Sequence, residues 1–452
     1  MRKLVPVFLL CLVFIGPQAC GQEKDRPPSG LVLKPGIYSA KWEIPKPTRD
    51  SRLGSIVGWA KFYKERPSLK GKPKLASESP FYGYVRLETY GEPGREILFA
   101  LDESKGTGKG YDTIYLDVNG NHDLSDDAQV SAKNIHQGGK YTRVEFTRVA
   151  SIPVNKLFPG ATNTNLVEMD IDVVHHVRDR GKSAESWGDV WLRGHWRGEV
   201  NTNKGKIPFR LADSSGNGRY DDRIALLGLP KKYQMGDQIL FDWDANGKFP
   251  TALLSGPDPS IERYCFSSGV SIAGKLYALT TSPSGDKLKV ARYTGPTARL
   301  SLKVLRVGKV PITLKGIRLA GSTGLYWLPL DGGSLQVPAG RYALNQVRLN
   351  ARHRDGSDWS AIGIYGKPFT ASAGKTVAVP VRPGVKMAIA PDSREVKLKR
   401  GKDVHIALDF ALLSGGKVGG VFRTDSRSRP EATVSIKDAN GKIVKTGKAG
   451  FG

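Results

Sequence analysis

Short runs in which apolar and polar residues alternate recur along the whole chain, and they constrain its fold more than any other feature. Glycine, proline, asparagine and aspartate bound these runs, and helical periodicity is scarce. A period of two residues is typical of strands with one buried face. The sequence therefore predicts an all-β protein of multiple β-sandwich or barrel-like domains, with few or no helices beyond its N-terminal segment. The clearest runs are YGYVRLETY (82–90), REILFAL (95–101), DTIYLDV (112–118), YTRVEFTRVA (141–150), EMDIDVVHHV (168–177), DVWLRGHWRGEV (189–200) and KIPFRLAD (206–213).

The length of 452 residues exceeds what one hydrophobic core usually serves, so several domains are expected. Composition shifts along the chain predict five segments. These are a signal peptide over 1–20, a linker over 21–30, a β-rich region over 31–254, a β-sandwich over 255–381 and a small β-domain over 382–452.

The N-terminal segment has the layout of a secretory signal, with two basic residues followed by a short apolar run from Leu4 to Ile15. That run is too short to span a bilayer. Ala19 before Cys20 resembles part of a bacterial lipobox, whereas Pro17 and Gln18 depart from it. Two fates for Cys20 stay open: lipidation, or ordinary cleavage nearby. Either fate predicts an exported protein of the periplasm, cell surface or extracellular space, with a lipid anchor as its only route to the membrane.

The chain carries a formal net charge of +26, and its Lys and Arg residues are scattered instead of forming one block. Such a surface favours polyanions, such as acidic polysaccharide, anionic headgroups or surrounding nucleic acid, and the expected partner is an acidic polysaccharide or an envelope protein. The alternative is that the charge only maintains solubility. A specific nucleic-acid partner is not expected, because no helix-turn-helix, zinc-finger or RNP-like pattern is present.

One stretch of this basic chain, DVNGNHDLSDD (117–127), concentrates aspartate and asparagine. Side-chain oxygens fall at alternate positions, and the apolar Leu124 at position 8 is expected to anchor the loop in the core. Calcium (Ca2+) takes six to eight oxygen ligands, which alternate residues of a tight loop can direct at one centre. The candidate ligands are Asp117, Asn119, Asn121, Asp123 and Asp126.

The same register returns twice, each time after a strand-like run. The second loop offers Asp213, Ser215, Asn217 and Asp222, with Tyr220 at position 8. The third offers Asp242, Asp244 and Asn246, with Phe249 at position 8. Three loops in one register predict calcium sites in the first half of the chain.

These loops resemble the DxDxDG family of calcium loops found in EF-hands, dockerins and thrombospondin type 3 repeats. The resemblance implies structural calcium sites. Position 12 holds Ala128, Ile224 and Leu253 instead of a bidentate Glu, which places the expected affinity at the weak, extracellular end, about 10⁻⁴ to 10⁻³ M. The alternative for each loop is an Asx-rich turn between strands. DANGKIV (438–444) has similar spacing and is predicted to be an ordinary hairpin turn.

The segment from Val337 to Tyr342 has the order strand, Pro-Ala-Gly, Arg-Tyr, strand. It resembles the PAGxY edge of bacterial carboxypeptidase-regulatory-like and transthyretin-like β-sandwiches. The resemblance covers one hairpin and implies a β-sandwich for the second region.

The run DVWLRGHWRGEV offers a second kind of site. If it forms one strand, Trp191, Arg193, His195 and Arg197 share a face. Aromatic rings stack on sugars and Arg pairs with carboxylate or sulfate, so this face is a candidate platform for an acidic sugar. The alternative is a face covered by other parts of the chain.

Catalytic signatures are absent from the sequence: none of the seven histidines lies in a GxSxG, HExxH or Cys-His context. His175 and His176 are adjacent and are expected to point to opposite faces of a strand. The expected function is a non-catalytic envelope or surface protein with calcium-stabilised β-domains. The alternative is an extracellular hydrolase, similar to glycoside hydrolases, whose acids come from Glu185, Asp189 and Glu199 around the Trp-rich run.

Overall fold

The structure is a computed structural model of the chain. It describes residues 27–46, 58–63, 68–87, 95–105, 111–138, 141–158, 160–178, 183–213, 217–223, 225–227, 232–234, 237–247, 249, 263–304, 312–321, 323–328, 330, 333–352, 358–364, 368–381, 385–389, 408–412, 417–423, 431–437 and 442–450. The all-β prediction is confirmed, since the regular secondary structure of these residues consists of strands and one four-residue helix.

The first part of the chain contains eleven strands and the helix in its described residues. They are β1 (Gly36–Glu43), β2 (Gly58–Tyr63), β3 (Phe81–Leu87), β4 (Glu96–Asp102), β5 (Thr113–Leu116), β6 (Gln129–Ser131), β7 (Asn134–Gly138), β8 (Tyr141–Pro153), α1 (Val154–Leu157), β9 (Leu166–Arg178), β10 (Ser183–Arg193) and β11 (His195–Thr202).

The central part continues with short strands separated by turns. They are β12 (Gly205–Ala212), β13 (Ala225–Leu227), β14 (Lys232–Gln234), β15 (Gln238–Phe241), β16 (Arg263–Cys265), β17 (Ser267–Ile272), β18 (Lys275–Thr281), β19 (Lys287–Arg292), β20 (Thr297–Val304), β21 (Ile312–Gly321) and β22 (Gly324–Trp327).

The last part has the same character. Its strands are β23 (Ser334–Pro338), β24 (Gly340–Arg352), β25 (Asp358–Ile364), β26 (Pro368–Ala371), β27 (Thr376–Val381), β28 (Val385–Ile389), β29 (Leu408–Leu412), β30 (Lys417–Arg423), β31 (Glu431–Lys437) and β32 (Ile443–Gly450).

Nine strands form the first sheet, in the order β6-β5-β4-β3-β2-β10-β9-β8-β7. Its neighbouring strands are antiparallel throughout. The alternating apolar residues of β3, β4, β8 and β9 supply one face, and they pack into a core that includes Val85, Phe99, Phe146 and Ile171. This sheet carries the first acidic loop.

Eight strands form the second sheet, in the order β16-β15-β12-β11-β1-β19-β18-β17. Trp196, Phe209, Ile239 and Leu288 belong to its separate core. Strand β1 lies in the middle, because Ala40 pairs with Gly198 and Gly36 pairs with Val290. The sheet therefore joins the start of the chain to residues 263–292, and the boundary predicted at 254–255 falls inside it.

A third core lies between the three-stranded sheet β23-β20-β27 and the sheet β22-β21-β24-β25-β30-β29-β28, in which β26 also pairs with β24. Strand β25 pairs with β30, so the predicted boundary at 381–382 also falls inside a sheet. Two further hairpins, β13-β14 and β31-β32, stand apart. The β31-β32 pairing confirms the predicted terminal hairpin, whose turn at 438–441 lies outside the described residues.

The segment from Val337 to Tyr342 differs from the predicted hairpin. Strand β23 pairs with β20, whereas β24 pairs with β21, so the Pro-Ala-Gly turn carries the chain from one sheet to the other. The hydroxyl of Tyr342 donates to the carbonyl of Pro338 across this turn. The turn is a corner of a two-sheet core instead of a connection within one sheet.

Candidate functional site

Each predicted acidic loop starts immediately after a strand. Asp117 follows β5, Asp213 follows β12 and Asp242 follows β15. The predicted anchors at position 8 are confirmed, because Leu124, Tyr220 and Phe249 are all buried. The three loops thus share one arrangement: an aspartate at the strand end and a buried side chain seven residues later.

In the first loop, the carboxylate of Asp117 is buried and accepts hydrogen bonds from the backbone. Its Oδ1 accepts the N–H groups of Gly120 at 2.7 Å and Asn121 at 3.1 Å, and its Oδ2 accepts that of His122 at 3.0 Å. Gly120 and His122 have positive φ angles of 74° and 62°, which the tight reversal requires. Three backbone donors are therefore satisfied by one side chain.

The alternate positions of this loop form successive Asx turns. The side-chain oxygens of Asn119, Asn121 and Asp123 accept the N–H groups two residues further on, at 2.9, 2.7 and 2.9 Å. The amides of Asn119 and Asn121 both donate to Oδ2 of Asp126, at 3.1 and 2.8 Å. The predicted residues are thus brought together around the loop, with Asp126 as the common acceptor.

Neighbouring segments fix the first loop in place. The N–H of Lys70 donates to the carbonyl of His122 at 2.9 Å, and that of Leu124 donates to the carbonyl of Gly71 at 3.3 Å. The guanidinium of Arg95 donates to the carbonyl of Val118 at 3.0 Å. The loop is therefore a supported part of the first sheet.

Asp127 was not among the residues predicted for this site. Its Oδ1 accepts the N–H of Val118 at 3.3 Å, while its Oδ2 is buried with no hydrogen-bond partner in the described part of the chain. Burial, together with the nearby carboxylates of Asp117, Asp126 and Asp123, raises the pKa of Asp127 to about 6. Its place beside Asp126 at the end of the acidic run was the signal that could have identified it.

The second loop repeats the capping pattern. The carboxylate of Asp213 accepts the N–H groups of Asn217 at 3.3 Å and Gly218 at 2.7 Å. The amide of Asn217 donates to Oδ2 of Asp222 at 2.7 Å. Asp213, Asn217 and Asp222 therefore lie together in this loop, whereas Ser215 lies outside the described residues.

Sequence reasoning missed Asp237 beside this loop. Its buried side chain accepts the N–H of Asp222 at 2.9 Å, and its own N–H donates to the carbonyl of Asp222 at 2.9 Å. Burial, followed by the charges of Asp213 and Asp237, holds the pKa of the Tyr220 hydroxyl well above its ordinary value. No spacing pattern links Asp237 to Asp213, since sheet pairing brings them together.

The third loop is the smallest. The carboxylate of Asp242 accepts the N–H groups of Asn246 at 3.0 Å and Gly247 at 2.9 Å. The amide of Asn246 donates to Oδ2 of Asp244 at 2.7 Å. Burial raises the pKa of Asp242, and the neighbouring carboxyl of Asp244 raises it further. All three predicted residues therefore line one turn.

The donor set tests whether these loops fit a metal ion. Within the residues that the structure describes, no group of three or more His, Cys, Asp or Glu side chains is arranged to hold a metal. In the first loop a divalent ion would need amide oxygens of Asn119 or Asn121 as well as carboxylates, which is ordinary for calcium and unusual for zinc. Oδ2 of Asp127 is the one fully buried side-chain oxygen of this loop that lacks a hydrogen-bond partner among the described residues.

The predicted sugar platform is not one strand. The run breaks at Gly194, with Trp191 and Arg193 on β10 of the first sheet and His195 and Arg197 on β11 of the second. Gly194 is required there because a Cβ atom would lie 2.4 Å from Cζ2 of Trp42. Trp191, Arg193 and His195 are buried, so the covered alternative holds for these three side chains.

Arg193 belongs to a buried ion-pair network. Its Nε lies 2.8 Å from Oδ2 of Asp170, its Nη2 lies 2.6 Å from Oε2 of Glu168, and its Nη1 donates to the carbonyl of Pro45 at 2.8 Å. Asp172, two residues further along β9, pairs with Arg143 of β8. These charges join strands and connect the first sheet to the segment after β1.

His195 and Arg197 lie on the second sheet beside residues that the sequence did not indicate. Oε2 of Glu43 is 3.8 Å from Nε2 of His195 and 3.6 Å from Nη1 of Arg197. In the pairing of β11 with β12, Arg197 lies directly opposite Arg210. Both ring nitrogens of the buried His195 lack a hydrogen-bond partner among the described residues. Around Glu43, the basic side chains of His195, Arg197 and Arg210 therefore outnumber the acidic side chains described as their partners.

The acids proposed for hydrolysis are divided between two sheets. Asp189 is on β10 of the first sheet, whereas Glu199 is on β11 of the second, where it pairs with Lys206 at 3.4 Å on the surface. Glu185 lies on β10, and His175 and His176 occupy consecutive positions of β9.

The N-terminal residues 1–26, which include Cys20, lie outside the described part of the chain. Among the residues described, no helix has the length and apolar character to cross a bilayer. Comparison with known protein families, curated proteins and solved structures finds no match to this chain.

Proposed function

We propose that this chain is a non-catalytic exported protein of the cell envelope or surface, in which calcium stabilises acidic loops and a basic surface contacts acidic polymers. One observation carries the proposal: each strand-end aspartate closes its own loop through backbone N–H groups while position 8 is buried. Strand-end aspartates that accept backbone N–H groups in this way stabilise the conformation of their loops. They are unsuited to proton transfer, which needs a carboxyl group facing a substrate.

Calcium is proposed chiefly for the first loop. Four carboxylates, those of Asp117, Asp123, Asp126 and Asp127, belong to this one short segment. Buried carboxylate oxygens are normally paired, and Oδ2 of Asp127 is not paired within the described residues. A hard divalent cation would neutralise the mutual repulsion of these groups and use oxygen donors of the kinds present.

The test is calorimetric titration of the metal-stripped full-length chain with calcium chloride. We expect saturable heat with a dissociation constant of about 10⁻⁴ to 10⁻³ M, because the loop lacks the bidentate Glu of a tight site. Asp126→Asn should weaken this binding, since it removes charge from an exposed side chain without touching the backbone bonds to Asp117. The matched control is Asp286→Asn, which changes an acid held by Ser282 and Ser284 far along the chain.

The absence of heat at millimolar calcium would contradict calcium binding. Equal binding by the wild type and Asp126→Asn would exclude the first loop as the site. In either case export is tested separately, by locating the protein in cell fractions and by whether Cys20→Ser abolishes its labelling with a radioactive fatty acid.

A further inference from the structure

The outer face of the second sheet, opposite the core side of β11, brings His195, Arg197 and Arg210 together, and Lys41 of β1 lies opposite Arg197 on the same face. His195 and Arg197 alternate on β11, and Trp196 between them points into the second core. Glu43 of β1 lies opposite His195, and Arg210 of β12 lies opposite Arg197. We call His195, Arg197 and Arg210 the basic cluster, with Glu43 beside it.

The charges of this cluster are poorly balanced. Like charges directly opposite on neighbouring strands destabilise a sheet, and Arg197 and Arg210 occupy such positions. Oε2 of Glu43 is 3.6 Å from Nη1 of Arg197 and 3.8 Å from Nε2 of His195, and both distances exceed those of good hydrogen bonds. Glu43 is therefore a loose partner for both groups.

Arg210 is half-buried, and no ion pair within 4 Å is formed with it by the described residues, although Glu43 and Asp242 are near enough to raise its pKa. Its guanidinium carbon lies 4.3 Å from the centre of the Phe249 ring, and its Nε is buried with no acceptor. Burial, followed by the charge of Arg197, lowers the pKa of Arg210 to about 10. The ring holds the planar guanidinium in one orientation, with hydrogen-bond donors left over for another group.

His195 gives an independent indication of a missing partner. Its side chain is 2% exposed, and neither ring nitrogen has a hydrogen-bond partner in the described part of the chain. Buried polar groups in folded proteins are almost always paired, so an exception calls for a partner. A neutral imidazole offers one N–H donor, which an oxygen ligand beside Glu43 could accept.

We propose that His195, Arg197 and Arg210 bind a carboxylate group of an acidic polysaccharide, and that Glu43 occupies this position until the ligand displaces it. The carboxylate would meet two guanidinium groups and one imidazole. Planar guanidinium groups match a carboxylate with two parallel hydrogen bonds, which lysine cannot provide. The net charge of +26 favours a polymer that carries many such groups over a single small acid.

The proposed site contains only two of the four residues that the sequence predicted from the Trp-rich run. His195 and Arg197 take part, whereas Trp191 and Arg193 belong to the interior of the first sheet. The inference rests on the proposed contact with acidic polymers, and it names the ligand group and the residues that hold it. It does not depend on calcium.

The experiment measures binding of a fluorescent oligogalacturonate to the full-length protein at physiological salt. Arg197→Gln and Arg210→Gln should each weaken binding about tenfold, as expected for loss of a charge-assisted contact. Glu43→Gln should strengthen binding several-fold because it removes the competing carboxylate. Arg86→Gln is the matched control, since Arg86 makes the same kind of exposed ion pair, with Glu96 on the first sheet, and should bind as the wild type does.

Arg210→Lys separates charge from geometry, because it keeps the cation and loses the planar fork; binding close to that of Arg210→Gln supports the proposal. Thermal melting of each variant shows whether it is folded. Equal loss in the Arg86→Gln control, or binding unchanged in both cluster variants, would overturn the proposal. Failure of the wild-type protein to bind oligogalacturonate would also overturn it. So would displacement of bound oligogalacturonate by inorganic sulfate at an equal concentration of anionic groups. A calcium response that persists in that case would leave the acidic loops unaffected.

Discussion

The guanidinium Nε of Arg193 lies 2.8 Å from Oδ2 of Asp170, and both side chains are buried between strands of the first sheet. Removing one member of a buried ion pair leaves the other charge without compensation. The pair therefore provides a direct measure of how much the interior of this sheet depends on charge matching.

Arg193→Ala should lower the free energy of unfolding by about 3–5 kcal/mol, because Asp170 and Glu168 would lose their common partner. Urea unfolding followed by tryptophan fluorescence measures the change. Arg86→Ala, which breaks the exposed pair with Glu96, should cost no more than about 1 kcal/mol. Similar losses in the two variants would show that the buried network contributes nothing special.

Acid should destabilise the second sheet through His195. Burial, followed by the charges of Arg210 and Arg197, lowers the pKa of His195 to about 3, while Glu43 is the one described acid near its ring. In the unfolded chain the imidazole of His195 takes up a proton near pH 6.5, whereas in the folded chain it stays neutral down to about pH 3. The free energy of unfolding therefore falls as the pH drops from about 6.5 towards 3.

This effect should amount to about 1.4 kcal/mol per pH unit in that window. Urea unfolding at a series of pH values measures the slope for the wild type and for His195→Gln, which cannot take up the proton. The difference between the two slopes isolates His195. Parallel slopes would mean that His195 titrates normally in the folded protein.

The anchor of the first acidic loop should be costly to remove. Leu124 is fully buried beside Leu98 and Tyr115, so Leu124→Ala should lower the free energy of unfolding by about 2–5 kcal/mol. Val118 and Asp127 would lose their fixed separation as well, and any calcium-induced rise in melting temperature should shrink. Melting curves with calcium and with chelator give both quantities, and an unchanged melting temperature would show that the loop does not depend on its anchor.

Gly194→Ala should strain the passage between the first two sheets. The new methyl group would lie 2.4 Å from the Trp42 ring, and overpacking of this kind costs about 1–3 kcal/mol. A double-mutant cycle with Trp42→Leu provides the control, since the cost should fall once the ring is gone. An equal cost in both backgrounds would place the strain elsewhere.

Local patterns in the sequence identified the strands well where pairing is between neighbours. Strand β4 (Glu96–Asp102) closely matches the alternating run at 95–101, and the aspartates after β5, β12 and β15 were located by spacing alone. The run at 189–200 was misread as one strand because the alternation continues across Gly194, where the chain passes from the first sheet to the second; the contact with Trp42 of β1 explains why residue 194 is a glycine.

Long-range contacts were outside the reach of that reasoning. The burial of Arg193 depends on Glu168 and Asp170 of another strand, although the alternating acids of EMDID (168–172) could have indicated a charged face within a sheet. Arg210 and Glu43 join His195 through pairing across three strands that are far apart in sequence. The sheet that spans the predicted division at 254 depends on the same kind of contact, since strands from both sides pair within it.

The central position of β1 in the second sheet has a consequence for biogenesis. Its partners β11 and β19 lie far along the chain from it, whereas all strands of the first sheet lie between Gly58 and Arg193. Because longer loops must close, we expect the second sheet to form more slowly than the first. A chain interrupted before residue 290 would leave the backbone of β1 open along one side to pairing with other chains.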